Sequence, residues 1–222
     1  MKNLFIAALL LFATAASATT SSGQLSFQTA FVDRGVVARE DATVGLDLRV
    51  DDFVFDNVFA TTELTTTDIS SDVLKLRSDF GIGYFRQLGS LDVEASINRL
   101  DATALYGEAY NEVRAEAGYS FTERLRVFGR TAYPLTTVPD DLYATVGANY
   151  LIGNDWRADL EVSGYKYAGT NVSDLQFNDV LAKLTYNVND SIGLFGGYSY
   201  GGEDRLGEDL TSKALVGATV SF

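Results

Sequence analysis

Apolar side chains recur at every second position along most of this chain, the period of strands with two unlike faces. Residues 213–222 (KALVGATVSF) carry it plainly: Ala214, Val216, Ala218, Val220 and Phe222 share one face. A terminal strand with an apolar face frays unless both edges are paired, and closure into a barrel pairs both.

The same alternation predicts the other strands. Leu25, Phe27 and Phe31 share a face, and residues 35–42 (GVVAREDA) interrupt it as a charged loop. Val44, Leu46, Leu48 and Val50 then oppose Asp47 and Arg49, and Asp51-Asp52 reads as a tight turn. Residues 53–62 return as a strand of unfixed phase, because Asp56 spoils one register and Asn57 the other, and a polar loop spans 63–72. Leu74, Leu76, Phe80, Ile82 and Tyr84 face outward, against Lys75, Arg77, Asp79, Gly81 and Gly83. Leu91, Val93, Ala95 and Ile97 alternate with Asp92, Glu94, Ser96 and Asn98, before a loop over 99–108. Val113, Ala115, Ala117, Tyr119 and Phe121 oppose Glu112, Arg114, Glu116, Gly118 and Ser120. Leu125 and Val127 oppose Arg126, Phe128 and Arg130, and both prolines, Pro134 and Pro139, fall in the following loop. Leu142 to Tyr150 and Trp156 to Val162 form the next pair, with Arg157, Asp159 and Glu161 inward. A loop over 166–178 leads to Val180, Ala182, Leu184 and Tyr186, with Lys183 opposed, and then to a strand carrying Ile192, Leu194, Tyr198 and Tyr200.

Short turns near residues 51, 88, 123, 153 and 190 alternate strictly with long loops near 38, 67, 103, 137, 172 and 206. That alternation is what an even-stranded barrel gives when both termini lie on the short-turn side. About twelve strands of roughly 17 residues each, connection included, suit the roughly 9 to 11 residues a tilted strand needs to cross a bilayer. Tyr84, Phe121, Tyr150, Trp156, Tyr186 and Phe222 all lie on the apolar face near a short turn or the C-terminus, as an interfacial girdle requires. The expectation is an all-β, transmembrane, antiparallel up-and-down barrel with both termini periplasmic.

Composition narrows the function. Residues 1–18 read as a cleaved secretory signal: Lys2, an apolar run from Leu4, then Ala16-Ser17-Ala18. Residues 19–222 are then one barrel domain. Mean hydropathy is only +0.04, because apolar residues are spread in period two and form no membrane helix. A formal charge of −13 disfavours nucleic acid. With no His and no Cys, Ser-His-Asp hydrolysis, histidine zinc sites, thiol catalysis and disulfides are all excluded. Asp51-Asp52 and Asp140-Asp141 are adjacent pairs, but adjacency in a strand sends them to opposite faces, against a carboxylate dyad. The spacing in GGEDRLGED, 201–209, matches no EF-hand loop. The reading is a non-enzyme without metal or cofactor.

The chemistry lies in the inward faces. Arg49, Lys75, Arg77, Arg114, Arg126, Arg130, Arg157 and Lys183 oppose Asp47, Asp79, Asp92, Glu94, Glu112, Glu116, Asp159 and Glu161. Enclosed charges must be hydrated or paired. They predict either a constriction with a transverse field, basic on one wall and acidic on the other, or a salt-bridged plug. Arg126, Arg130 and Arg157 are the candidates for contact with an anionic solute.

The ending on Phe222 resembles the terminal strand of bacterial outer-membrane barrels, which implies Phe222 as the assembly signal read by the insertion machinery. Phe31-Val32-Asp33-Arg34-Gly35-Val36, followed by the Val44 strand and an aromatic return, resembles the opening of the TorF-type putative porins. That resemblance implies a small outer-membrane barrel with a transport role, embedded in outer-membrane lipid. The functional expectation is a porin-like channel for passive diffusion of small hydrophilic solutes. The alternatives are a closed barrel acting as a structural or adhesion element through acidic outer loops, and a soluble secreted β-sandwich.

Overall fold

A computed structural model describes residues 20–29, 31–33, 36–39, 42–68, 75–101, 109–135, 142–166, 176–201 and 212–222. The signal segment, Leu74, Arg34-Gly35, Pro139, Asp140-Asp141 and the acidic run 202–211 lie outside the described residues.

Twelve strands close into one antiparallel barrel. They are β1 (Thr20–Gln28), β4 (Thr43–Asp51), β5 (Val58–Asp68), β6 (Lys75–Leu88), β7 (Leu91–Asp101), β8 (Tyr110–Ser120), β9 (Leu125–Pro134), β10 (Leu142–Ile152), β11 (Trp156–Lys166), β12 (Gln176–Asn187), β13 (Ile192–Gly201) and β14 (Lys213–Ser221). Each pairs with its sequence neighbour, and β1 closes the ring by pairing with both β4 and β14. Between β1 and β4, a small hairpin of β2 (Phe31–Asp33) and β3 (Val36–Arg39) forms a separate two-stranded sheet. With every edge paired, the soluble-sandwich alternative falls.

The two faces are inverted relative to a soluble protein. Val146 and Ile97 are 63% and 57% exposed on the outside, while Glu112 and Asn98 are 0% and 2% exposed within. Only a solvent that prefers hydrocarbon outside and water inside stabilises that arrangement. The girdle is on the outer face too: Trp156 and Tyr186, cross-strand partners, hold their rings 4.9 Å apart, and Tyr119 meets Phe121 edge-on at 4.9 Å. A second belt stands at the long-loop end, where Phe27, Tyr133, Phe177, Tyr198 and Tyr200 are all exposed.

Several local expectations are corrected. Phe31 does not continue β1, and residues 36–39 are a strand, because β2 and β3 pair with each other. The turn after β4 is not a tight Asp51-Asp52 turn but residues 52–57. There the Asp52 carboxylate accepts the Asn57 amide at 2.8 Å and Phe53 N donates to Val58 O at 2.7 Å. Asp52, Val54 and Asn57 take φ of 53°, 72° and 64° to make it, and for β-branched Val54 that is strained. The next strand therefore starts at Val58, not Phe53, and runs through the supposed loop to Asp68. Strand β7 likewise continues to Asp101, and β12 begins at Gln176. Pro134 is not in a loop: it ends β9 opposite Glu112. Its missing N–H is tolerated because pairing of β9 with β10 has already stopped at Ala132↔Tyr143.

Candidate functional site

The lumen is built on a repeated cross-strand unit. Phe59 on β5 faces Gly83 on β6, Phe128 on β9 faces Gly147 on β10, and Phe195 on β13 faces Gly217 on β14. In each pair the ring occupies the place where a Cβ of the glycine would stand. The ring thus lies along the wall instead of projecting across the lumen. Cations then settle on these rings: Arg49 at 4.1 Å from the Phe59 centroid, Arg126 and Arg130 at 5.3 and 5.1 Å from Phe128, Lys183 at 5.7 Å from Phe195.

Every one of those cations also meets carboxylates. Arg49 spans Asp51 at 2.7 Å and Glu94 at 2.8 Å, so it links β4 to β7. Arg77 holds Glu63 at 3.1 Å, and Arg114 joins Asp79 on β6 to Glu112 on its own strand. Arg126 bonds Asp92 at 2.5 Å and Glu116 at 2.8 Å, and Arg130 bonds Glu161 at 2.5 Å. Asp159 accepts from Arg157 at 3.1 Å and lies 3.6 Å from Lys183. Arg126, Arg130 and Arg157, the expected anion contact, are thus each occupied by an acid. The side chain of Lys75 lies outside the described residues.

The charges are unevenly spread among the described lumen side chains. On β4 to β8, eight carboxylates (Asp47, Asp51, Glu63, Asp79, Asp92, Glu94, Glu112, Glu116) face three cations (Arg49, Arg77, Arg114). On β9 to β12, Arg126, Arg130, Arg157 and Lys183 stand among Asp159, Glu161 and Asp179. Asp47, Glu63 and Asp79 form one row, since Asp47 pairs with Glu63 and Glu63 with Asp79 across β4, β5 and β6.

Sequence reasoning missed Glu63, assigned to a loop, Asp179, and the partners Asp51 and Tyr143. Tyr143 Oη donates to Ser163 Oγ at 3.0 Å, which lies 3.1 Å from Thr145 Oγ1. The period-two pattern beyond Thr62 could have found Glu63, because Glu63 and Thr65 keep the inward phase of Phe59 and Thr61.

Water-sized space remains between these side chains. A cavity of about 790 Å³ reaches Tyr143, Ser163 and Asp179 near the long-loop end, and Ser22 and Ser221 at the short-turn end. Arg49, Glu63, Arg77, Asp79, Glu94, Arg114, Glu116, Arg130 and Glu161 line it. A second cavity of about 390 Å³ opens at the short-turn end beside Arg126, Arg157, Asp159 and Lys183, and Glu161 lines both. The Arg130–Glu161 and Arg126–Glu116 pairs therefore stand where the two cavities meet.

No family model matches the chain, and no curated protein matches it. Solved structures do. The KdgM porin superposes with a TM-score of 0.62 at 12% identity, over 91% of this chain and 99% of its own. KdgM in complex with disordered oligogalacturonate gives 0.61 at 13% identity over the same shares. The NanC porin gives 0.59 at 12% identity, again over 91% and 99%. The chain has the fold of these porins, and its own barrel closes with twelve antiparallel strands.

Proposed function

We propose that the chain is a porin-like channel for passive diffusion of small hydrophilic solutes across the outer membrane of a Gram-negative bacterium. The observation that carries this reading is the charged, roughly 790 Å³ cavity whose lining extends from one end of the barrel to the other. A closed barrel with an apolar exterior supplies the membrane span; hydrated charges supply the path. The termini share the short-turn end, which the proposal places in the periplasm after removal of residues 1–18. Phe222 then serves the insertion machinery. The TorF-type kinship of residues 31–36 belongs to the same proposal and is supported by the whole-chain architecture. No reaction, metal or cofactor enters it.

Transport works here by exchange of hydration. A polar solute leaves bulk water for a lumen whose carboxylates and guanidinium groups replace part of its shell, and the flat-lying phenylalanines keep the bore from closing. Liposome swelling tests it: vesicles holding the folded barrel should swell in small sugars and progressively less in larger ones. One observation favours a second reading, a closed structural barrel: Arg49, Arg77, Arg114, Arg126, Arg130, Arg157 and Lys183 are each already paired with an acid. A folded barrel that gives no swelling with any sugar would support that reading.

A further inference from the structure

We infer that the lumen selects for cations, so that its natural solutes are cationic or neutral and oligoanions are excluded. The inference rests on the channel reading and names the solute class for it. The first ground is the surplus of carboxylates over cations among the described lumen side chains, concentrated on β4 to β8. The second is that the guanidinium groups an anion would need are engaged: Arg126 by Asp92 and Glu116, Arg130 by Glu161, Arg157 by Asp159. An entering anion would have to displace a carboxylate from each, with no gain in charge pairing.

The third ground is the row formed by Asp47, Glu63 and Asp79. Its two neighbouring cations are committed, Arg77 to Glu63 and Arg114 to both Asp79 and Glu112. Asp79 is 3% exposed, and its Oδ1 is buried without a hydrogen-bond partner. Asp47 lines the cavity and is open to it. No described cation lies within ion-pair distance of Asp47. A mobile cation passing this row meets unbalanced negative charge, and lumen walls of low dielectric keep that field from being screened away. The arrangement would favour a potassium ion or a small oligoamine, and it opposes the oligogalacturonate class seen with KdgM.

The test is the reversal potential of the folded full-length mature chain in a planar bilayer under a steep KCl gradient. The potential should have the sign of K⁺ preference, and Asp47→Asn should lower the permeability ratio by about two- to three-fold, the effect of one wall charge several ångströms from the ion path. Asp47→Lys should lower it further. A small oligoamine should slow the current, and an oligogalacturonate should leave it unchanged. Current with Cl⁻ preference would overturn this inference and leave the channel reading standing. No current from a folded barrel would overturn the channel reading itself. A ratio unmoved by both Asp47 substitutions would overturn the selecting role of the row.

Discussion

Gly23 and Phe222 exchange two backbone hydrogen bonds, Gly23 N to Phe222 O at 2.8 Å and Phe222 N to Gly23 O at 3.0 Å. They are the last rungs of the seam at which β14 closes the barrel on β1. The Phe222 ring covers Gly23, filling the place of its absent Cβ, and Leu48 Cδ2 lies 2.9 Å from the same point. The C-terminal aromatic and an N-terminal glycine are therefore one packing unit, separated by almost the whole chain.

Gly23→Val should push the ring off the seam and destabilise the barrel by about 1–3 kcal/mol, the usual cost of overpacking. Phe222→Ala should reduce the folded fraction in outer membranes. Heat-modifiable gel migration reads both, and wild-type levels of the folded form in either variant would count against the closing role of this pair.

The luminal phenylalanines predict a second glycine effect. Gly83→Val would strike the Phe59 ring and the Ala95 carbonyl. Since Arg49 rests on Phe59 at 4.1 Å, the Arg49–Glu94 link should loosen with it. We expect a loss of about 1–3 kcal/mol in urea unfolding. Gly129→Ala, whose Cβ would meet only the Thr145 carbonyl at 3.9 Å, should be near neutral. Equal losses would show that ring placement is irrelevant.

The face assignment was legible in the sequence because Leu91 to Asn98, or Trp156 to Val162, contrast apolar with polar or charged residues at every step. Where contrast is lost, legibility is lost. Strand β5 carries threonine on both faces, Thr61 and Thr65 inward and Thr62 and Thr66 outward, so neither its start nor its end showed. Pairing between strands was hidden for another reason: register depends on turn geometry, and a six-residue turn in place of two residues shifts every partner. Hence Asp47, Glu63 and Asp79 looked like separate charges, and Phe59 and Gly83 like unrelated residues. The charge types of the lumen were readable, but which acid neutralises which arginine was not.

Membrane exposure yields a third prediction. Leu160 is 50% exposed on the outer face of β11, and Leu160→Arg should cost roughly 2–4 kcal/mol if it lies at the bilayer midplane. Ser163, an inward position on the same strand, is no neutral control, contrary to what alternation alone suggests. It is 4% exposed and bonded to Tyr143 and Thr145. Asp47→Lys, which places its cation in the lumen, should fold normally. Equal unfolding free energies for the Leu160 and Asp47 variants would contradict the assignment of these two positions to opposite faces.

Arg114 holds two strands through acids that are almost wholly buried, with side chains of Glu112 at 0% and Asp79 at 4% exposure. Arg114→Met keeps the stem but removes the charge both acids share. Breaking a buried pair in this way costs about 3–5 kcal/mol, so the urea midpoint should fall sharply. An unchanged midpoint would show that other contacts of these acids suffice.

The central claim is that the space between the ion pairs conducts. Single-channel recording of the folded mature chain in a planar bilayer tests it most directly, with heat-modifiable migration of the same sample as proof of folding. Discrete, uniform current steps are expected. A silent bilayer from demonstrably folded protein would contradict it and make the luminal charges a structural plug.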